Sequence, residues 1–288
     1  MAAASRLRAR GWLRDVARSL RATPTFAFYE LVMLLLAGIV AVITFKPQWL
    51  GLEGFGHFGD PEHRIHDLTY GFTYTTAVVG VLAQLRRPER NVAGMVMAVV
   101  PWAGFGLAAV LSEEAFVFRS TERITVAYVV VIAALLHPAG RRFFGSFRAS
   151  RLNRVMLALA VVAAVPLLAF ASTNLRLQRT VPDVHAALGH YGFMAAFAYT
   201  VIGVAFLASL RPDGGRLTAW VAGLLPALAG IASLAYGEVS SSLEVGWALA
   251  AIAWGAAFVA AAEATGLPRP GGHGNGPRRR QPAEVTFE

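Results

Sequence analysis

Long apolar runs, each close to 20 residues and separated by short polar or basic stretches, recur along the chain. They fall at 28–46, 67–85, 92–111, 124–138, 155–171, 189–210, 217–236 and 245–263. A helix needs about 20 apolar residues to cross the hydrocarbon of a bilayer, so each run predicts one crossing. The pattern predicts an all-α integral membrane protein of eight transmembrane helices. An even number of crossings returns both termini to one side.

The polar residues between the runs say which side. Of the 26 basic residues, 20 lie in the N-terminal arm, in alternate loops and in the tail, among them Arg86, Arg87, Arg90, Arg141, Arg142, Arg151, Arg211 and Arg216. The other set of loops holds only Lys46, Arg64, Arg119, Arg123, Arg176 and Arg179. Basic loops stay cytoplasmic, which predicts a multi-pass plasma-membrane protein with cytoplasmic N- and C-termini. The chain then divides into a basic cytoplasmic arm (1–26), a first four-helix half (27–140), a basic cytoplasmic linker (141–154), a second four-helix half (155–264) and a tail (265–288). In the arm, Leu13, Val16 and Leu20 share one helical face and Arg14, Arg18 and Arg21 another, as in a helix lying on an anionic leaflet. The first run continues through Lys46-Pro47-Gln48-Trp49, which is no cleavage site, and reads as an uncleaved anchor. The tail is rich in Pro, Gly and Arg and reads as disordered.

The halves resemble one another. Tyr70-Gly71-Phe72 recurs as Tyr191-Gly192-Phe193, Val79-Gly80-Val81 as Ile202-Gly203-Val204, Arg87-Pro88 as Arg211-Pro212 and Pro101 as Pro226. The offsets are 121, 123, 124 and 125, a drift that small insertions would leave in a tandem duplication of a four-helix unit. The two halves would be related by an axis along the membrane normal.

Composition narrows the chemistry. The 288 residues are 56% hydrophobic and 15% charged, with a net charge of +9 and no cysteine. Thiolate metal ligands, iron–sulfur clusters and cysteine nucleophiles are thereby excluded. The positive charge is spread over loops on one side, which points to membrane lipids and not to nucleic acid. No phosphate loop, metalloprotease helix or Gly-x-Ser-x-Gly elbow is present, and the single lysine, Lys46, sits at a helix end and not at a retinal position.

What remains is histidine. Five of seven, His57, His63, His66, His185 and His190, fall on the non-cytoplasmic side near the starts of the second and sixth helices. Asp60-Pro61 reads as a cap with proline at the first helical position, so His63 and His66 share a face one turn apart, with Asp67 next to them and Glu62 before them. Two imidazoles so placed can point at one ion, with the carboxylates as a third ligand or as acceptors for a ring N–H. In the second half Asp183 opens a helix carrying His185. His190 follows five residues on, about 140° around an unbroken helix, so only one of that pair is required to face the bundle axis. The expected site comprises His63, His66, His185 and His190 as ligands, with Asp67 and Glu62 orienting them, around a transition metal or haem.

Glu62-His63-Arg64 at the start of the second helix, in two four-helix halves with histidines opening helices two and six, resembles heme A synthase. That resemblance implies histidines on helices two, four, six and eight around two haems. Here Arg123–Leu136 and Val245–Glu263 carry none, and His137 lies at the inner end of the fourth helix. The residues by themselves point to metal- or haem-based redox or hydrolytic chemistry on a lipophilic small molecule. Two alternatives stay open: a transporter or lipid-handling permease along the faces bearing Thr69, Thr73, Thr75, Thr76, Gln84, Tyr199 and Thr200, and a non-enzymatic scaffold or pH sensor. Whether the chain is an enzyme, and how many copies assemble, the sequence leaves open.

Overall fold

A computed structural model describes residues 25–36, 38, 63–115, 121–147, 151–237 and 241–265. The secondary structure of these residues is helical. α1 is Thr25–Leu36. It is followed by α2 (Arg64–Leu82), α3 (Val92–Ser112), α4 (Thr121–Leu135), the short α5 (Arg142–Gly145) and α6 (Arg154–Thr180). The last four are α7 (Val184–Leu188), α8 (His190–Ser209), α9 (Gly215–Ala235) and α10 (Val245–Ala264). Five of them, α3, α6, α8, α9 and α10, are long and apolar enough to cross a membrane, which suggests an integral membrane protein.

The long helices differ in what surrounds them. The apolar window of α8 is 78% buried inside the molecule, whereas that of α6 is 17% buried and that of α10 is 22% buried. α8 is thus the central post, packed against α2, α3, α6 and α9, while α6 and α10 turn Val162, Val165, Leu168, Trp247 and Leu249 outward. An outward apolar face on a helix of this length is stable only against lipid or another apolar partner.

Close helix approach depends on small residues. A methyl group at Gly223 would lie 2.5 Å from the Gly255 carbonyl, and one at Gly230 2.5 Å from that of Ala248, so α9 and α10 are in backbone contact. Gly94 and Gly104 do the same for α3 against α2 and α8, while Gly106 meets nothing within 4 Å.

Loops gather at two ends. At one, Ala93 N–H donates to Asp213 O at 2.9 Å, Asn153 N–H to Ser209 O at 2.9 Å, and Arg151 pairs with Asp213 at 2.7 Å. Asn153 Nδ2 also reaches Thr265 Oγ1 at 2.7 Å, so this arginine end unites the α2–α3, α5–α6 and α8–α9 connections with the end of α10. At the other end lie the starts of α2 and α8 and the end of α6. Both Arg87 (φ +52) and Arg211 (φ +51), each preceding a proline, have left-handed backbones at matching places in the two α-hairpins.

The first run is described only as far as Leu36 and at residue 38, the rest of it lying outside the described residues; the helices of the other runs keep to them within about three residues, with one large exception. α6 continues nine residues past 171, to Thr180, giving 27 residues and about 40 Å, longer than the hydrocarbon core. The added turns are polar, but Asn174 and Gln178, four apart, are buried on one face, and the helix stops where Val181 becomes extended before Pro182.

Candidate metal centre

Two helix starts and one broken helix build the site. His63 sits immediately before α2 and His66 in its first turn. Asp183 caps α7, its Oδ1 accepting from Ala186 N–H at 2.8 Å, as the helix-opening pattern predicts. The chain does not run on as one helix from there. Gly189 takes φ +82, ending α7 and starting α8 in a new direction, a conformation that favours glycine. The 140° divergence expected for His185 and His190 on an unbroken helix therefore does not apply, and both rings turn to the same place.

Gln178, on the polar extension of α6, fixes that break. Its Nε2 donates to Ala186 O at 2.7 Å and its Oε1 accepts from Gly192 N–H at 3.0 Å, one partner on each side of Gly189. The sequence reading missed this residue. Its trace was the i, i+4 pair Asn174 and Gln178 in a segment otherwise too polar to count as membrane helix.

The four imidazoles meet. None is more than 7% exposed. Ring centroids lie 4.6 Å apart for His63 and His185, 4.9 Å for His63 and His190, 4.9 Å for His66 and His185, and 5.1 Å for His66 and His190. One ligand atom from each of His63, His185 and His190 falls within 4.8 Å of the others, the spacing of a group that could hold a metal ion. His63 Nδ1 and His190 Nδ1 are 3.1 Å apart, close to the roughly 3.3 Å separating two imidazole nitrogens that share a tetrahedral ion at 2.0–2.1 Å. His66 completes the stack, with its Nε2 3.2 Å from Ser241 Oγ. Ser241 has φ +70, a left-handed backbone that is uncommon for a residue other than glycine.

The orienting carboxylate is Asp183. Its Oδ2 lies 3.6 Å from His185 Nδ1 and accepts from Tyr191 O–H at 2.8 Å, while His185 Nε2 is buried without a hydrogen-bond partner. Burial pushes the Asp183 carboxyl up. The Ala186 N–H, the Tyr191 hydroxyl and His185 outweigh that and hold it below its ordinary value, so it stays an anion beside the ring. A carboxylate on one ring nitrogen leaves the other facing the ion and fixes its tautomer.

Of the two carboxylates given that role from sequence, Asp67 is buried in α2 with an Oδ2 that has no hydrogen-bond partner, and it is not among the three residues whose ligand atoms cluster. Glu62, like His57 and the Asp60-Pro61 cap, lies outside the described residues.

The threonines offered as a transport path are turned back onto their own helices. Thr69, Thr73, Thr75, Thr76 and Thr200 each donate to the carbonyl four residues earlier, at 2.7–3.0 Å. Those bonds satisfy the donor of each hydroxyl within its own helix.

No family model, no curated protein and no solved structure matches the chain. The resemblance to heme A synthase gains no support from these comparisons.

Proposed function

We propose that this chain is an eight-helix plasma-membrane protein that binds one transition-metal ion through His63, His185 and His190, with His66 at the edge of the site and Asp183 orienting His185. The carrying observation is the convergence of buried imidazoles from α2, α7 and α8 with ligand atoms within 4.8 Å of one another. An all-nitrogen set suits zinc, copper, iron or nickel. The ring centroids lie only 4.6–5.1 Å apart, in tilted, edge-on and stacked pairs, a spacing that suits an ion and leaves no room for a macrocycle between them. Bound there, the ion would supply Lewis-acid or redox chemistry at a lipophilic substrate. The chain's own part is to hold three neutral imidazoles and to keep water away.

The duplication belongs to this reading. It is supported by the matching left-handed Arg87-Pro88 and Arg211-Pro212 turns and by His63 meeting His190 from equivalent helix starts. The cytoplasmic placement of the arginine end rests on the positive-inside rule.

The test is elemental analysis with an absorption spectrum on detergent-purified protein, wild type beside His63→Ala/His185→Ala/His190→Ala. About one ion per chain, lost in the variant, with no Soret band, is expected. A metal-free wild type that is folded and active in no metal-reconstitution trial would overturn the reading, and a Soret band would replace the ion with haem.

A further inference from the structure

A cavity of about 680 Å³ opens beside the histidines, enclosed by α6, α8, α9 and α10 and closed at the top by Ile65 and Thr69 of α2 and by Ser241. Its volume lies within the 300–1,000 Å³ of small-molecule sites. Pro166 of α6 and Pro226 of α9 both line it, and each takes one backbone hydrogen bond out of its helix.

The lining is graded. Its hydroxyl-bearing residues, Thr69, Thr173, Ser233 and Ser241, all sit at the histidine end, while Val162, Val165, Phe197 and Trp254 line the part nearer the bilayer midplane. Along α6 the distance from Thr173 to Val162 is about 16 Å at 1.5 Å per residue. The polar end touches the site itself, because Ser241 Oγ is 3.2 Å from His66 Nε2 and Ile65 adjoins His66 in the chain.

The mouth is lateral. Val162, Val165 and Trp247 line the cavity and are also 67%, 70% and 57% exposed, so the opening lies between α6 and α10 on the outward apolar face. Water does not stably fill a space so apolar, and in a membrane the liquid outside that mouth is hydrocarbon.

We infer that this cavity takes the hydrocarbon tail of a single-chain amphiphile, entering sideways from the bilayer between α6 and α10 and resting its polar end at Ser241 beside His66. The substrate class of the metal site is then a membrane-dissolved lipid with a long tail and a compact polar end, a conclusion that rests on the metal reading only for what happens at that end. Tail binding itself requires no ion.

Photolabelling with a diazirine-bearing palmitic acid in liposomes tests it. Label is expected on α6, α8 and α10 residues that line the cavity, suppressed by excess unlabelled palmitate, and reduced at least fivefold in Ala251→Trp, which fills the chamber from α10. His185→Ala is expected to lose metal yet keep the label, whereas Ala251→Trp is expected to keep its metal. Label spread evenly over the outward faces of α4, α6 and α10 and indifferent to unlabelled palmitate would overturn the inference in wild type alone, whatever the fate of the variants. Metal without competed labelling defeats the cavity, and competed labelling without metal defeats the metal centre.

Discussion

A buried imidazole needs a partner for each ring nitrogen, and His185 has one for Nδ1 only, the Asp183 carboxylate. An ion at Nε2 removes the cost of leaving that atom dry, which is why Asp183 matters out of proportion to its single contact. Asp183→Asn keeps the helix cap, since asparagine caps as well as aspartate, but replaces the anion beside His185. Metal affinity should drop about 10–100-fold with helicity unchanged, read by competition with a chelator. His137, in the turn beyond α4, illustrates the opposite use of a histidine. Its Nε2 meets Gln84 Oε1 at 3.1 Å and its Nδ1 accepts from Ala139 N–H at 3.2 Å, an arrangement that only the neutral ring satisfies. Burial pushes its pKa down to about 4. The unfolded ring takes up its proton first, so stability is full above about 6.5 and is lost progressively as pH falls from there towards about 4. His137→Gln should flatten that stretch of a thermal-midpoint-against-pH curve. At this scale the histidines that cluster, His63, His185 and His190, were legible because a titratable residue in so apolar a chain is conspicuous. Asp183 was legible as a cap, but its second task depends on which way its other oxygen points, and spacing does not carry that.

Among the elements, the break at Gly189 decides whether there is a site. An L side chain in its left-handed conformation costs about 1–2 kcal/mol, and relaxing the strain would straighten α7 into α8 and part His185 from His190. Gly189→Ala should therefore lose metal as well as stability, whereas Gly106→Ala, inside α3 where a methyl meets nothing, should keep the metal and raise stability by about 0.5–1 kcal/mol. Gln178→Leu strips the clamp from both sides of the break, leaving the Gly192 N–H without its side-chain acceptor, a cost of about 1–3 kcal/mol, and taking from Ala186 O one of its two donors. A lowered thermal midpoint and a weakened metal site in one variant would check it. Neither element feature could be read from hydropathy. The α6 extension is polar enough to end an apolar run, and only its buried Asn174 and Gln178 show that it packs on protein where it leaves the lipid. The sixth apolar run starts at 189, where α8 begins, but hydropathy does not show that the chain breaks there between His185 and His190, since that depends on the left-handed backbone of Gly189.

For the whole molecule, the division of labour follows from which helices are buried. α8, wrapped on all sides, carries the ligand that meets His63 across the molecule, while α6 and α10 present the apolar surface and the lateral mouth. α9 and α10 hold that surface together by backbone contact, so Gly223→Val should force them apart at the Gly255 carbonyl and cost about 1–3 kcal/mol, measured as lost detergent-resistant folded protein. The helical class and the five long apolar helices were legible from the sequence because the length of an apolar run is set by bilayer thickness. The cavity was not, since it arises between four helices and no single residue announces it. The central claim is that imidazoles from three helices hold one ion, and X-ray absorption at the edge of the metal found in purified protein addresses it most directly. The account predicts a first shell with at least three histidine nitrogens at about 2.0–2.1 Å and the multiple-scattering pattern of imidazole. A shell of oxygen alone, or with a single imidazole, would contradict it.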